Sequence, residues 1–180
     1  MRYMSASPGP GPGPLPSSPV YPDRYPGPGV VSMPATRLMD PSYASLNRFI
    51  EAQAPVYAAV CAELAAGRKT SHWIWFIFPQ LKGLGRSGTA RFYGIESKDE
   101  ALAYWQHPVL GPRLKHCAQL VLNTRGKSAH DIFGTPDDLK LRSCMTLFSM
   151  VAGDEPVFAQ VLARLFQGEL DVKTIELLGA

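Results

Sequence analysis

The stretch SHWIWFIFPQ, Ser71 to Gln80, decides the fold class of this chain. Its aromatic and β-branched residues locally favour a β-strand. The rest of the chain, however, contains no second strand with which it could pair, and an unpaired strand leaves its backbone N–H and C=O groups without partners. Ser71 is a good helix N-cap, and Pro79 ends a helix. We therefore predict a short buried helix here, within an all-α, compact multihelical single domain.

The segments on both sides of this stretch also have a helical pattern. Before it, apolar residues from Leu46 to Leu64 recur at the spacing that lines one face of a helix. Pro55 is expected to kink or split that helix, and Gly67 to end it. After it, Pro108 fits the first turn of another helix. The residues that we predict to cap or start the later helices are Ser97, Ser128, Thr135, Asp154 and Asp171.

The first 41 residues differ in composition from the rest of the chain. They hold 11 of the 17 prolines, alternating with glycine and serine. Such a segment has little apolar surface to offset the entropy lost on ordering. We therefore predict a disordered Pro/Gly-rich tail over residues 1–41 and a helical domain over residues 42–180.

Charge and hydropathy exclude several classes of protein. The net charge is +3, and the lysines and arginines are scattered, so no nucleic-acid partner is expected. No apolar run approaches the ~20 residues that span a bilayer, and the N-terminus lacks the apolar region of a signal peptide. The three cysteines form no CxxC pair, which is typical of reduced, buried thiols. These features predict a cytoplasmic protein without a membrane partner.

Four stretches carry a resemblance to a known family: GRKTSHWIWFIFPQLKGLGRS, EALAYWQHPVLGPRL, DIFGTPDDLKLRSCMTLF and FQGELDVKTIELL. They resemble a small bacterial-type family of unknown function whose members are often labelled calpastatin, and the resemblance extends over roughly Leu46 to Leu178. It implies a compact multihelical fold without an established activity. A true calpastatin is a disordered inhibitor, whereas this chain is 46% hydrophobic and has regular helical stripes, so we do not expect protease inhibition.

Candidate site residues lie first in the opening stretch. His72 could act as an acid, a base or a ligand donor, or it could simply be a capping or core histidine. Trp73 and Trp75 are two residues apart and cannot face the same way on a helix, so one should fill the core while the other could stack on a planar ligand. Gln80, at the far end, is expected at the rim of any site.

Two further segments hold polar residues within otherwise apolar sequence. The glycine-rich joint KGLGRSGTARFYG, residues 82–94, is not a P-loop, but its Arg91 could contact an anion. Asp138, Lys140 and Ser143 lie on a later helix, where they either tie helices together or point into a cleft. We predict one common ligand site where the three segments meet. Its residues are His72, Trp73, Gln80, Arg91, Asp138, Lys140 and Ser143.

No complete catalytic constellation accompanies these residues. The histidines are dispersed and form no HExxH motif, so we expect no metal site, and no motif calls for a cofactor. Neither a GxSxG elbow nor a Ser-His-Asp order is present.

Two functions remain open. The first is a helical binding or interaction module for a small anionic or nucleotide-like ligand, or for a protein partner. The second is an enzyme acting on a nucleotide or ADP-ribose derivative, because the order of helices is similar to that of the helical NADAR family. That family has a glutamate before its histidine, where this chain has Ser71 before His72. The loss of that carboxylate counts against N-glycosidic hydrolysis, and an enclosed polar pocket that holds His72 together with a carboxylate would favour it.

Overall fold

The structure, a computed structural model, describes residues 44–179, and within them it contains ten α-helices. The helices are α1 Asn47–Gln53, α2 Tyr57–Ala65, α3 Ile74–Ile77, α4 Gly88–Phe92, α5 Lys98–Gln106, α6 Leu110–Asn123, α7 Ala129–Phe133, α8 Asp137–Val151, α9 Val157–Phe166 and α10 Val172–Leu178. A 3-10 helix spans Lys82–Leu84. Residues 44–179 contain no β-strand, only one isolated parallel bridge, so the all-α prediction is confirmed. The tail predicted over residues 1–41 lies outside the described residues.

Proline and glycine divide the first helical segment as predicted. α1 ends at Gln53 and α2 begins at Tyr57, so the chain breaks around Pro55. After α2, the amide of Gly67 donates to the carbonyl of Leu64 over 2.9 Å. The φ of Gly67 is +62°, a left-handed conformation that glycine adopts without the penalty of a Cβ.

The opening stretch forms one short helix, but not with the predicted N-cap. Trp73 occupies the N-cap position of α3, and Ser71 lies outside the helix. The Ser71 hydroxyl instead donates to the Glu63 carboxylate over 2.6 Å, because a charged acceptor makes a stronger hydrogen bond than a backbone group. Trp73 is 1% exposed, whereas Trp75 is half-buried.

Helix α8 lies at the centre of the fold and packs against α3, α5, α7, α9 and α10. Its buried residues are Leu141 and an unbroken run from Ser143 to Phe148, as expected for a helix that is enclosed on most sides. The Phe148 ring contacts Tyr104 of α5, at 5.5 Å between centroids, and Phe158 of α9, at 5.8 Å. Burial of this apolar surface is the main contribution to the stability of the domain.

Three of the predicted caps are confirmed in the later helices. The Ser97 side chain accepts from the Glu100 amide at the start of α5. The Ser128 side chain accepts from the Asp131 amide at the start of α7, and the reciprocal hydrogen bond completes a capping box. The Asp171 side chain accepts from the amide of Thr174 in α10.

Proline shifts the start of three other helices. Pro136 and Pro156 occupy the N-cap positions of α8 and α9, so the predicted starts at Thr135 and Asp154 are wrong. Pro108 lies before α6 rather than in its first turn. Here His107 supplies the cap, because its Nδ1 accepts from the amides of Val109 and Leu110. The sequence rule missed this cap because histidine is not among the usual N-cap residues.

Candidate functional site

The glycine-rich joint folds back on itself through a short backbone pairing. The Lys82 amide donates to the Ile95 carbonyl over 2.8 Å, and the Ile95 amide donates to the Gln80 carbonyl over 2.9 Å. A Cβ on Gly94 would lie 2.5 Å from the Cα of Lys82, so only glycine permits this approach. The pairing fixes both ends of the segment that carries α4.

Helix α4 presents two neighbouring side chains, Arg91 and Phe92. Its N-terminus is capped by Ser87, whose side chain accepts from the Ala90 amide. Ala90 is buried and packs close to Gly85, where an added Cβ would lie 2.6 Å from that of Ala90. Arg91 is exposed, and the Phe92 ring is 59% exposed.

Both side chains line a cleft of about 550 Å³. The cleft lies between α1, the 3-10 helix, α4 and the first turns of α5. The residues that line it are Ser45, Arg48, Lys82, Arg91, Phe92, Gly94, Glu96, Ser97, Asp99, Glu100 and Ala103. Its volume is within the range of ~300–1,000 Å³ that is typical of small-molecule sites.

The charges in this cleft are only partly paired. Arg48 pairs with Glu100 over 2.9 Å, and Lys82 pairs with Glu96. The hydrogen bond and charge of Lys82 hold the pKa of the Glu96 carboxyl below its ordinary value. Arg91 has no ion pair among residues 44–179, and the buried Nε of Arg48 has no hydrogen-bond acceptor there. Arg91 is therefore the guanidinium in the cleft wall that is available to a ligand.

An aromatic cluster holds the Phe92 ring in place. Phe92 meets Tyr93 edge-on at 4.9 Å between centroids, and Tyr93 in turn contacts Phe76 at 5.3 Å and Phe49 at 6.0 Å. Phe49 is fully buried, so the cluster joins the exposed ring to the core. Phe92 is thus supported from behind while much of its surface faces solvent.

The three site residues predicted from the opening stretch lie outside this cleft and in different surroundings from one another. His72 is exposed. Trp73 lies in the core, and its indole Nε1 donates to Glu63 over 2.9 Å. Gln80 is 8% exposed, and its carbonyl takes part in the pairing with Ile95.

The predicted residues of α8 make contacts within and between helices. The Asp138 carboxylate accepts from Thr135 over 3.2 Å. The Lys140 ammonium pairs with Asp137 over 2.7 Å and lies 4.3 Å from the centre of the Trp75 ring. The structure thereby brings Lys140 to the opening stretch.

Ser143 joins two helices through hydrogen bonds. Its hydroxyl contacts the carbonyl of Leu139 in α8 over 3.1 Å and the Asp171 carboxylate at the start of α10 over 3.0 Å. Among the predicted site residues, only Arg91 lines the cleft described above. The ligand contacts predicted for the others stay predictions.

Glu63 is a structural anchor that sequence reasoning missed. Its carboxylate accepts four hydrogen bonds, from the amides of Thr70 and Ser71, the hydroxyl of Ser71 and the indole of Trp73. Burial alone would raise its pKa, but these hydrogen bonds outweigh burial and lower the pKa of the Glu63 carboxyl to about 2. A carboxylate does therefore lie beside Ser71, but its oxygens are already occupied by protein donors.

Replacement of Glu63 by glutamine should remove part of the pH dependence of stability. The lowered pKa of Glu63 stabilises the folded state above the ordinary value of 4.5, and this contribution is lost as the pH falls toward about 2. We therefore expect Glu63→Gln to be less stable than the wild type at neutral pH. The difference in the free energy of unfolding should shrink as the pH falls from 4.5 toward about 2. Urea unfolding at a series of pH values measures it.

The matched control is Glu51→Gln, which removes an exposed carboxylate of α1. It should follow the wild-type pH dependence closely. A Glu63→Gln variant that differs from the wild type by a constant amount at all pH values would contradict the assignment.

Other kinds of site find no support within the described part of the chain. Residues 44–179 contain no group of three or more His, Cys, Asp or Glu side chains placed to hold a metal ion. None of the helices in this range is both long and apolar enough to cross a membrane.

Comparison with known proteins identifies the family. A search of curated proteins finds no match. Among solved structures, the chain is similar to the conserved hypothetical protein Rv1873 from Mycobacterium tuberculosis, whose crystal structure was determined at 1.38 Å. The two share 52% sequence identity with a TM-score of 0.74, and the match covers 76% of this chain and 97% of that one. Residues 43–178 match the family described as "Protein of unknown function (DUF1810)". The chain therefore belongs to the DUF1810 family.

Proposed function

We propose that this protein is a binding module for a small nucleotide-like anion, and that the ligand occupies the cleft beside α4. The observation that carries this proposal is the placement of Arg91 next to Phe92, a guanidinium without an ion pair among residues 44–179 beside an exposed aromatic ring. A guanidinium recognises phosphate oxygens through charge-assisted hydrogen bonds, and an aromatic face stacks on a base.

The remaining charges of the cleft favour a ligand with hydroxyl groups as well as an anion. Lys82 and Arg48 are each paired with a glutamate, so these positions add little net positive charge. Asp99 also lines the cleft and makes no ion pair among the described residues. Its carboxylate can accept hydrogen bonds from ribose hydroxyls, whereas a bare polyanion would be repelled.

The alternative, N-glycosidic hydrolysis, gains no specific support. It requires a carboxylate that is free to stabilise or deprotonate a reacting group. The carboxylate next to the opening stretch, Glu63, is saturated by the protein's own donors, and the unpaired carboxylate of Asp99 lies in a cleft whose lining among residues 44–179 contains no histidine. The binding function is therefore the one that the geometry supports best.

The proposal predicts which ligands bind and which variants lose them. Isothermal titration with AMP, ADP-ribose, adenosine and inorganic phosphate should show that AMP or ADP-ribose binds more tightly than either of the last two. Arg91→Gln should weaken that binding by about tenfold or more, because a hydrogen bond to a charged group contributes about 1.5–3 kcal/mol. Phe92→Ala should weaken it to a similar degree through lost stacking.

Arg86→Gln is the matched control, since Arg86 is an exposed arginine of the same joint that does not line the cleft. It should bind as the wild type does. Arg91→Gln should also melt with the wild type, because the Arg91 side chain makes no hydrogen bond or ion pair among residues 44–179. Equal losses for both arginine variants would indicate non-specific attraction and contradict the cleft assignment.

A further inference from the structure

A lysine cluster, formed by Lys69, Asp137 and Lys140, lies where the opening stretch meets α8. The Asp137 carboxylate, at the first residue of α8, contacts the ammonium group of Lys69 over 2.6 Å and that of Lys140 over 2.7 Å. Lys69 belongs to the loop between α2 and α3, so the cluster joins two distant parts of the chain. None of the three residues lines the cleft beside α4.

Each ammonium group of the lysine cluster also faces an indole ring. Lys69 lies 5.3 Å from the centre of the Trp73 ring, and Lys140 lies 4.3 Å from that of Trp75. Trp73 is in the core, whereas Trp75 is half-buried. An aromatic face attracts a cation but carries no net charge. The two indoles therefore hold the ammonium groups in place without neutralising them.

The lysine cluster contains two positive charges and one negative charge. Burial alone would raise the pKa of the Asp137 carboxyl, but hydrogen bonds from Lys140 and Lys69 lower it below its ordinary value, so Asp137 is ionised at neutral pH. The side chains of Lys69, Asp137 and Lys140 are only 7%, 15% and 19% exposed. A charge that is largely removed from water is costly unless an opposite charge accompanies it.

The two other carboxylates that border the cluster are engaged by other donors. Glu63 accepts from the Trp73 indole and from three further donors. Asp138 accepts from the Thr135 hydroxyl and from a backbone amide. Within residues 44–179, Asp137 is thus the one carboxylate in contact with the two lysines, and one positive charge remains unpaired.

We propose that the lysine cluster binds a small organic carboxylate with a planar body. An ammonium group has three N–H donors, so each lysine can donate to the ligand as well as to Asp137. One carboxylate balances the remaining charge, whereas a phosphate group would bring nearly two negative charges close to Asp137. Lys140 is the more exposed lysine, and the planar body can lie against the half-buried Trp75 ring beside it.

A ¹H–¹⁵N NMR titration of the full chain with benzoate, benzamide and acetate tests the proposal. Benzoate should cause saturable shifts at the amides of residues 69, 75 and 137–140. Benzamide has the same shape without the charge, so its binding should be weaker by about tenfold or more. Acetate lacks the ring and should also bind more weakly than benzoate.

Two variants separate a ligand site from a simple tie between helices. Lys140→Gln should weaken benzoate binding by about tenfold or more, and Lys173→Gln, which removes an exposed lysine of α10, should bind as the wild type does. Asp137→Asn removes the internal acceptor that competes with the ligand, so it should tighten benzoate binding severalfold. A carboxylate that only ties the helices together would give a lower melting temperature without any gain in affinity.

Several results would overturn the proposal. These are equal binding of benzoate and benzamide, shifts centred on residues 91–94, equal losses in the two lysine variants, or the absence of saturable shifts with benzoate. A folded Asp137→Asn variant that binds benzoate no more tightly than the wild type would also contradict it. If Asp137→Asn folds poorly, the comparison of Lys140→Gln with Lys173→Gln decides by itself.

Discussion

Trp73→Ala should lower the free energy of unfolding by about 3–5 kcal/mol, as expected for a large aromatic side chain removed from a core. Trp73 is 1% exposed and contacts Phe78 and Phe133, at 6.2 and 6.3 Å between ring centroids. The substitution leaves a cavity among these rings and also removes one of the donors that hold Glu63. Urea unfolding of the full chain measures the effect.

Trp75→Ala is the matched control two residues away. Trp75 is half-buried, and one face of its ring contacts the Lys140 ammonium at 4.3 Å. Its loss should cost about 1–2 kcal/mol, because less apolar surface returns to water. If Trp75→Ala were as destabilising as Trp73→Ala, the assignment of Trp73 to the core and of Trp75 to a half-buried position would be wrong.

Gly111→Ala should be destabilising by about 1–3 kcal/mol or more, although alanine is the better helix former. Gly111 is the second residue of α6, and an added Cβ would lie 1.9 Å from the carbonyl oxygen of Trp105 in α5. Because the obstacle is backbone, the clash can be relieved only if α5 and α6 move apart. In urea unfolding, the midpoint of the variant should therefore lie at a lower urea concentration than that of the wild type.

Gly88→Ala tests whether the effect is steric. Gly88 also lies near the start of a helix, α4, but nothing approaches within 4 Å of its added Cβ. This variant should be neutral or up to about 1 kcal/mol more stable, since alanine restricts the unfolded chain. A stabilising Gly111→Ala would show that the junction of α5 and α6 is looser than we describe.

The fold class was predictable because helical periodicity is a local property of sequence. The split at Pro55, the end at Gly67 and the caps at Ser128 and Asp171 all depend on residues within one or two turns. The errors have a local cause too. Pro136 and Pro156 moved the start of their helices, and Ser71 bonded to Glu63 instead of to the helix backbone.

The cleft was less predictable because its wall is assembled from distant segments. Arg91 was identified from its glycine-rich context, but Arg48 and Glu100 are 52 residues apart in sequence and meet only in the folded chain. The close approach of Gly94 to Lys82 positions the glycine-rich joint, and the periodicity of apolar residues in the sequence does not predict such a contact. The charged pairs that line the cleft were therefore found from the structure alone.

Mapping the ligand on the structure tests the central claim most directly. In a ¹H–¹⁵N NMR titration of the full chain with AMP and with ADP-ribose, saturable shifts should be concentrated at the amides of residues 91–94 and 96–100. Arg91→Gln should require a higher ligand concentration for the same shifts, and Arg86→Gln should not. Shifts centred on residues 71–80 and 138–143 with none around Arg91, or no saturable shifts with either nucleotide, would contradict the account.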